Sequence, residues 1–214
     1  MDKNVKVIIV GNSPNVLKKK YGSIIDSYDI VIRINKCTTN GFEEYIGTKT
    51  DIWATTHLKY HKDPNDNDKI FIPNNYQDIK QLWRRTPKVK LNNLPSDFPV
   101  TNPYTMFKTK EFHKNKLNIY IDNLKNEPCT GLLTILTSTL FYQDVTIYGF
   151  SFYTESSGNV TSYYRELESQ DGKHREDKYW KNVKKSNFAS IASGNDKQKI
   201  ITNLETKNLI KILK

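Results

Sequence analysis

Cysteine is nearly missing from this chain. Cys37 and Cys129 are its two copies, far apart and outside any CxxC or Cys/His spacing, which excludes a disulfide-built scaffold and a structural zinc site. Long hydrophobic runs are missing too. No stretch approaches the ~20 apolar residues that span a bilayer, and Met1-Asp2-Lys3-Asn4 lacks the charged-then-apolar layout of a secretory signal. A soluble protein in a reducing, cytoplasmic setting is the expectation. Acidic residues are the minority: 23 Asp+Glu against 33 Lys+Arg give a net charge of +10 over 214 residues. Such a field favours anionic partners, whether nucleic acid, an acidic membrane surface, a nucleotide or an acidic glycan. Internal repeats and low-complexity blocks are also lacking.

What is present is an alternation of short apolar runs and helical stretches. Lys6-Val7-Ile8-Ile9-Val10 stops abruptly at Gly11-Asn12-Ser13-Pro14, as a buried parallel strand does when it enters a turn. Pro14 suits a first helical turn and Ser13 its N-cap, so a helix is expected through Val16 and Leu17 toward Lys20. The β-branched run within Asp29-Ile30-Val31-Ile32-Arg33-Ile34-Asn35 predicts a second strand, 41–46 a helix and 51–55 a third strand. Polar 59–68 reads as a surface loop, 69–72 as a strand, 76–85 as a helix, and Pro-rich 87–103 as irregular. A helix over 111–124 follows. Residues 130–142 are apolar nearly all round, as in a helix packed under a sheet, and 144–149 read as a buried strand. Helices near 174–190 and 195–204 and a last strand at 209–213 close the pattern.

Strands alternating with helices predict one Rossmann-like α/β domain, a mostly parallel sheet with helices on both faces. In such sheets ligands sit outside the carboxyl ends of the strands, where the strand order reverses. The residues to watch are therefore Gly11-Asn12-Ser13, Asn35, Cys129-Thr130-Gly131 and Gly149-Phe150-Ser151.

Read together, these places resemble the sialyltransferases of glycosyltransferase family 29. Val10-Gly11-Asn12-Ser13-Pro14-Asn15, Ile25-Asp26-Ser27-Tyr28-Asp29, Arg33-Ile34-Asn35 and Gly47-Thr48-Lys49-Thr50 are similar, in order and spacing, to the family's long sialylmotif. Pro128-Cys129-Thr130-Gly131-Leu132-Leu133-Thr134 with Asp144-Val145-Thr146-Ile147-Tyr148-Gly149-Phe150 resembles the short one. Tyr163-Tyr164-Arg165-Glu166 resembles the third motif, and His174 falls where the last motif supplies its histidine.

The resemblance implies a single catalytic domain over 1–214, a GT-A-like variant, with a variable acceptor-side excursion at about 59–126. It implies inverting transfer of a sialic acid, or a related ulosonic acid, from a CMP-activated donor to a glycan hydroxyl. Asn12, Ser13, Asn35, Cys129, Thr130, Gly131, Phe150 and Ser151 would hold the nucleotide, His174 would act as general base, and Tyr163 and Tyr164 would stabilise the departing phosphate. No cofactor or metal is expected beyond the donor, CMP-Neu5Ac or another CMP-activated acid, because one phosphodiester leaves rather than a pyrophosphate. A glycan or glycolipid is the implied acceptor, with peripheral membrane association open and no nucleic acid. The chain also departs from the animal enzymes of the family. Val7 and Tyr142 stand where those enzymes place a paired cysteine, Tyr179 stands where the last motif has glutamate, and Cys129 replaces a hydroxyl residue.

Other readings compete at several positions. Asp66-Asn67-Asp68 fits the DxD pattern of metal-dependent glycosyltransferases, but its surroundings read as a solvated loop. Trp53, Trp83 and Tyr104 fit sugar platforms and core residues equally well, and His57, His61 and His113 read as structural or surface. For the whole chain, the alternatives are a basic nucleic-acid-binding module, or a protein of the same fold that binds CMP or a glycan without turnover.

Overall fold

The apolar run at the start of the chain becomes the middle of a parallel sheet. The computed structural model describes residues 4–35, 37–55, 78–84, 98–103, 129–150 and 194–214, except for the side chains of 194–197. Its strands are β1 (Lys6–Val10), β2 (Ile30–Ile34), β3 (Ile52–Thr55), β4 (Gln81–Arg84), β5 (Val100–Thr101), β6 (Asp144–Tyr148) and β7 (Lys211–Ile212). Their order is β5-β4-β3-β2-β1-β6-β7, and every neighbouring pair is parallel. The chain steps outward from β1 to β5, then returns across the sheet to place β6 on the other side of β1. The reversal of strand order expected of a ligand-binding α/β sheet thus falls between β1 and β6.

Both faces are covered. On one, Ile8, Val10, Val31 and Tyr148 pack with Val16 of the 3-10 segment Pro14–Lys18, Ile25 of α1 (Gly22–Asp26), and Phe42 and Ile46 at α2 (Glu43–Ile46). On the other, Val7, Ile9, Ile32, Ile34, Val145 and Ile147 pack against α3 (Thr130–Phe141) and α4 (Gly194–Thr206). The alternation of β1 residues between the two cores follows from the strand period of two. α3 is rich in Thr, an indifferent helix former; burial on nearly all sides from Leu132 to Ser138 sets its conformation instead.

Two expectations change. The helix expected from Pro14 is a single 3-10 segment, capped by Ser13, whose Oγ accepts from the Asn15 amide at 3.3 Å. The helix expected over 76–85 is, at Gln81–Arg84, strand β4. Ile79, Leu82 and Trp83 have the i, i+3, i+4 spacing of a helix face, but a strand buried on both sides shows no alternation to betray it. Pairing with β3, Trp53 opposite Leu82 and Ala54 opposite Trp83, decides the conformation. Trp53 and Trp83 are 1% and 3% exposed, so they are core residues and not sugar platforms. The strand expected at 69–72 and the helices expected at 111–124 and 174–190 lie outside the described residues.

Candidate nucleotide site at the strand-order reversal

The turns after β1 and β6 meet in a contact that only glycine permits. A Cβ on Gly11 would lie 2.3 Å from the Gly149 carbonyl oxygen, and Gly149 itself sits at φ +74°, with a Cβ there falling 2.3 Å from Val16 Cγ1. Backbone bonds tie the same turns: Gly11 N–H donates to the Tyr148 carbonyl at 2.7 Å and Ser13 N–H to that of Gly149 at 3.0 Å. Phe150, half-buried, fills the next space. Its ring would lie 3.1 Å from a Cβ on Gly11 and 3.0 Å from one on Gly131, so it is wedged between the β1 turn and the start of α3.

The end of β2 joins this group. Asn12 Nδ2 donates to the Ile34 carbonyl at 3.0 Å, and Ile34 Cδ1 lies 3.8 Å from where a Gly131 Cβ would sit. Asn35 follows in the left-handed region, at φ +53°, which asparagine tolerates better than most residues. Its N–H donates to the Ala54 carbonyl at 2.8 Å, and its own carbonyl accepts the Trp53 indole N–H at 2.6 Å. The Oδ1 of its side chain is buried without a hydrogen-bond partner among the described residues. A buried acceptor left unpaired costs free energy unless something else supplies the proton.

α3 opens toward the same place. Cys129 is its N-cap residue and makes no side-chain capping bond. The start of a twelve-residue helix presents backbone N–H groups and the positive end of the helix dipole. Cys37, two residues beyond Asn35, is 2% exposed, and burial pushes its thiol up to about 12. Both cysteines are free thiols.

Of the sequence candidates, Phe150 lies against Gly131 and the β1 turn, Asn12 bonds to the Ile34 carbonyl, and Asn35 is the next residue along the chain from Ile34, with Cys129 and Thr130 at the helix start. Ser13 is there too, but its Oγ is engaged in capping the 3-10 segment. Ser151, Tyr163, Tyr164, His174 and Asp66 to Asp68 lie outside the described residues, as do Tyr104, Tyr179, His57, His61 and His113. Val7 is part of the core that packs on α3, Tyr142 packs against its edge, and no covalent link joins them. The sequence offers Trp53 as a sugar platform or a core residue, not as the donor to the Asn35 carbonyl. The signal for it is physical: a buried indole N–H needs an acceptor, and in β3 the available one is the end of the neighbouring strand.

The model of glycosyltransferase family 29 (sialyltransferase) matches residues 2–188. A curated protein of Homo sapiens, CMP-N-acetylneuraminate-beta-galactosamide-alpha-2,3-sialyltransferase 1, is 30% identical over 164 residues, covering 73% of this chain and 46% of the human protein. The protein of the same name from Sus scrofa is 27% identical over 160 residues, again covering 73% and 46%. The chain therefore spans about half the length of the curated relatives it matches. A solved mammalian sialyltransferase in complex with Gal-beta-1-3GalNAc-ortho-nitrophenol superposes with a TM-score of 0.55 at 20% identity, covering 98% of this chain and 69% of that one, a likeness of fold.

Proposed function

This chain belongs to glycosyltransferase family 29, and on that premise we propose that it is a sialyltransferase. It transfers a sialic acid, or another CMP-activated ulosonic acid, to a glycan hydroxyl with inversion at the anomeric carbon. One observation carries the reading: Asn12, Asn35 and the start of α3 converge at the β1–β6 reversal, with the Asn35 Oδ1 buried and without a partner among the described residues. That grouping suits cytidine monophosphate. Carboxamides read hydroxyl and base donors or phosphate oxygens, and the start of α3 favours the phosphate. Phe150 and the Gly11–Gly149 contact form the floor beneath it.

In this reading His174 removes the proton of the acceptor hydroxyl as that oxygen attacks the anomeric carbon and the bond to the CMP phosphate breaks. An imidazole with a pKa near 6.5 is largely neutral at pH 7 and fit to accept. Tyr163 and Tyr164 donate to the phosphate oxygens as charge gathers there. Segments 59–126 and 154–161 supply the acceptor side, with 1–214 acting as one catalytic domain; the single sheet running from Lys6 to Ile212 supports that organisation. The Gal-beta-1-3GalNAc-ortho-nitrophenol bound by the solved mammalian sialyltransferase makes a β-galactoside the first acceptor to try. The two free thiols favour a reducing compartment. Among the described residues no helix is long and apolar enough to cross a membrane, and a glycolipid acceptor would be met at a membrane surface.

The test is turnover of CMP-Neu5Ac with a β-galactoside acceptor, following CMP release and sialylated product. His174→Ala is expected to lower kcat at least about a hundredfold with CMP affinity nearly unchanged, since general-base catalysis contributes roughly 10²–10⁴. Near-normal turnover in that variant removes His174 from the role. The same assay in EDTA is expected to retain activity; loss on chelation, restored by manganese, would bring Asp66 and Asp68 forward as ligands.

A further inference from the structure

The carbonyl oxygens at the end of β2 are held from two sides. Asn12, on the turn after β1, donates to Ile34 at 3.0 Å, and Trp53, on β3, donates its indole N–H to Asn35 at 2.6 Å. Between these two bonds the backbone turns at φ +53° into a conformation that L residues adopt rarely. Nothing in the β2 strand itself demands that turn. Its consequence is a carboxamide whose oxygen is enclosed and has no partner among the described residues. Trp53 is 1% exposed and lies on the sheet face away from α3, so its ring is core while its one polar atom serves the site.

We propose that Trp53 is a positioning residue for nucleotide binding: its indole N–H fixes the left-handed turn at Asn35 and thereby the carboxamide presented to the nucleotide. The inference rests on the nucleotide reading above. Asn35 is the residue that touches ligand; Trp53 acts through it. A hydrogen bond to a backbone carbonyl is a geometric constraint as well as a contribution to stability, and a carboxamide displaced by a fraction of an ångström loses much of a short hydrogen bond.

Trp53→Phe keeps a buried aromatic ring and removes the N–H. The variant is expected to bind CMP about tenfold more weakly by calorimetry and to raise KM for CMP-Neu5Ac by a similar factor with kcat within about twofold, the pattern of a lost ground-state contact. In an Asn35→Ala background the same substitution is expected to change CMP affinity less than about twofold, because its route to the nucleotide is gone. CMP affinity unchanged in Trp53→Phe, or an equal loss with and without the Asn35 side chain, overturns the proposal.

A second measurement does not depend on the variant folding. In wild-type protein labelled with ¹⁵N-tryptophan and assigned through Trp83→Phe and Trp180→Phe, saturating CMP is expected to shift the Trp53 indole resonance. The Trp83 indole, bonded to Gln81 Oε1 at 2.9 Å away from the crevice, should stay in place. A Trp53 resonance that does not move overturns the proposal. Wild-type protein that fails to bind CMP at all overturns the donor reading instead, and this inference falls with it.

Discussion

Asn12 donates its amide to the backbone of β2, whereas Asn35 keeps a buried oxygen with no partner among the described residues. Side chains of one type thus take different parts, and the sequence, which offers only two asparagines after two strands, does not tell them apart. Arg33 is a similar case. It sits within an apolar strand, 1% exposed, and donates from Nε to the Lys49 carbonyl and Thr50 Oγ1, both at 3.0 Å, and from Nη2 to the Ile46 carbonyl at 2.7 Å. Its work is to tie β2 to the connection between α2 and β3. The cysteines give a prediction at this scale. The Cys37 thiol, held up to about 12 by burial, stays protonated and enclosed, so a thiol reagent at pH 8 is expected to label Cys129 alone in native protein and both after unfolding. Its raised pKa also means that the folded state holds this proton more tightly than the unfolded chain. Stability from this group is therefore present below about pH 9 and lost as pH rises toward about 12. A Cys37→Ala variant is expected to lose less stability over that interval in urea titrations; an identical pH profile for both proteins would contradict the assignment.

At the scale of elements, the strands with continuous apolar runs were legible because burial on both faces leaves no polar positions: β1, β2 and β6 fall where the runs predict. β4 was not, because its identity depends on a neighbour distant in sequence. That neighbour is held partly by Asp51, which lies just before β3 at the amino end of the sheet. Its carboxylate, 5% exposed, accepts from Val31 N–H at 2.8 Å and pairs with Lys80 at 2.7 Å, while its backbone carbonyl accepts from Lys80 N–H at 2.9 Å and Gln81 N–H at 3.2 Å. One residue thus joins β2, β3 and β4. Asp51→Ala strands the Val31 N–H, and the expected loss is about 1–3 kcal/mol in urea unfolding. The Lys80 pair adds little, its ammonium being exposed. CMP affinity should be unchanged, since the site is at the other end of the strands. The turns at the carboxyl ends are less forgiving. Gly11→Ala drives a Cβ into the Gly149 carbonyl, and the expected result is a melting temperature lower by several degrees, an overpacking cost of about 1–3 kcal/mol, together with loss of the CMP-induced shift. A fully stable Gly11→Ala protein that still binds CMP would refute the contact.

For the whole molecule, the outward run of strands to β5 and the return to β6 create one place where turns from both halves meet. The sequence marks that place by Gly11-Asn12-Ser13, Asn35 and Thr130-Gly131, and the fold assembles them there. What the sequence hid is how they are held: the Gly11–Gly149 contact, the Phe150 wedge and the Trp53 bond all join segments far apart in the chain, and no local pattern encodes them. The net charge of +10 suits an anionic donor as it suits other anions, so the account stands on the site and not on the field. Thermal unfolding with CMP, UMP, UDP and no nucleotide, each with and without magnesium or manganese, tests it most directly. Ligand at ~100 times its dissociation constant adds about 2.7 kcal/mol, several degrees for a domain of this size. The account predicts a metal-independent rise with CMP that the uridine nucleotides do not match; no rise with CMP, or a larger metal-dependent rise with UDP, would contradict it.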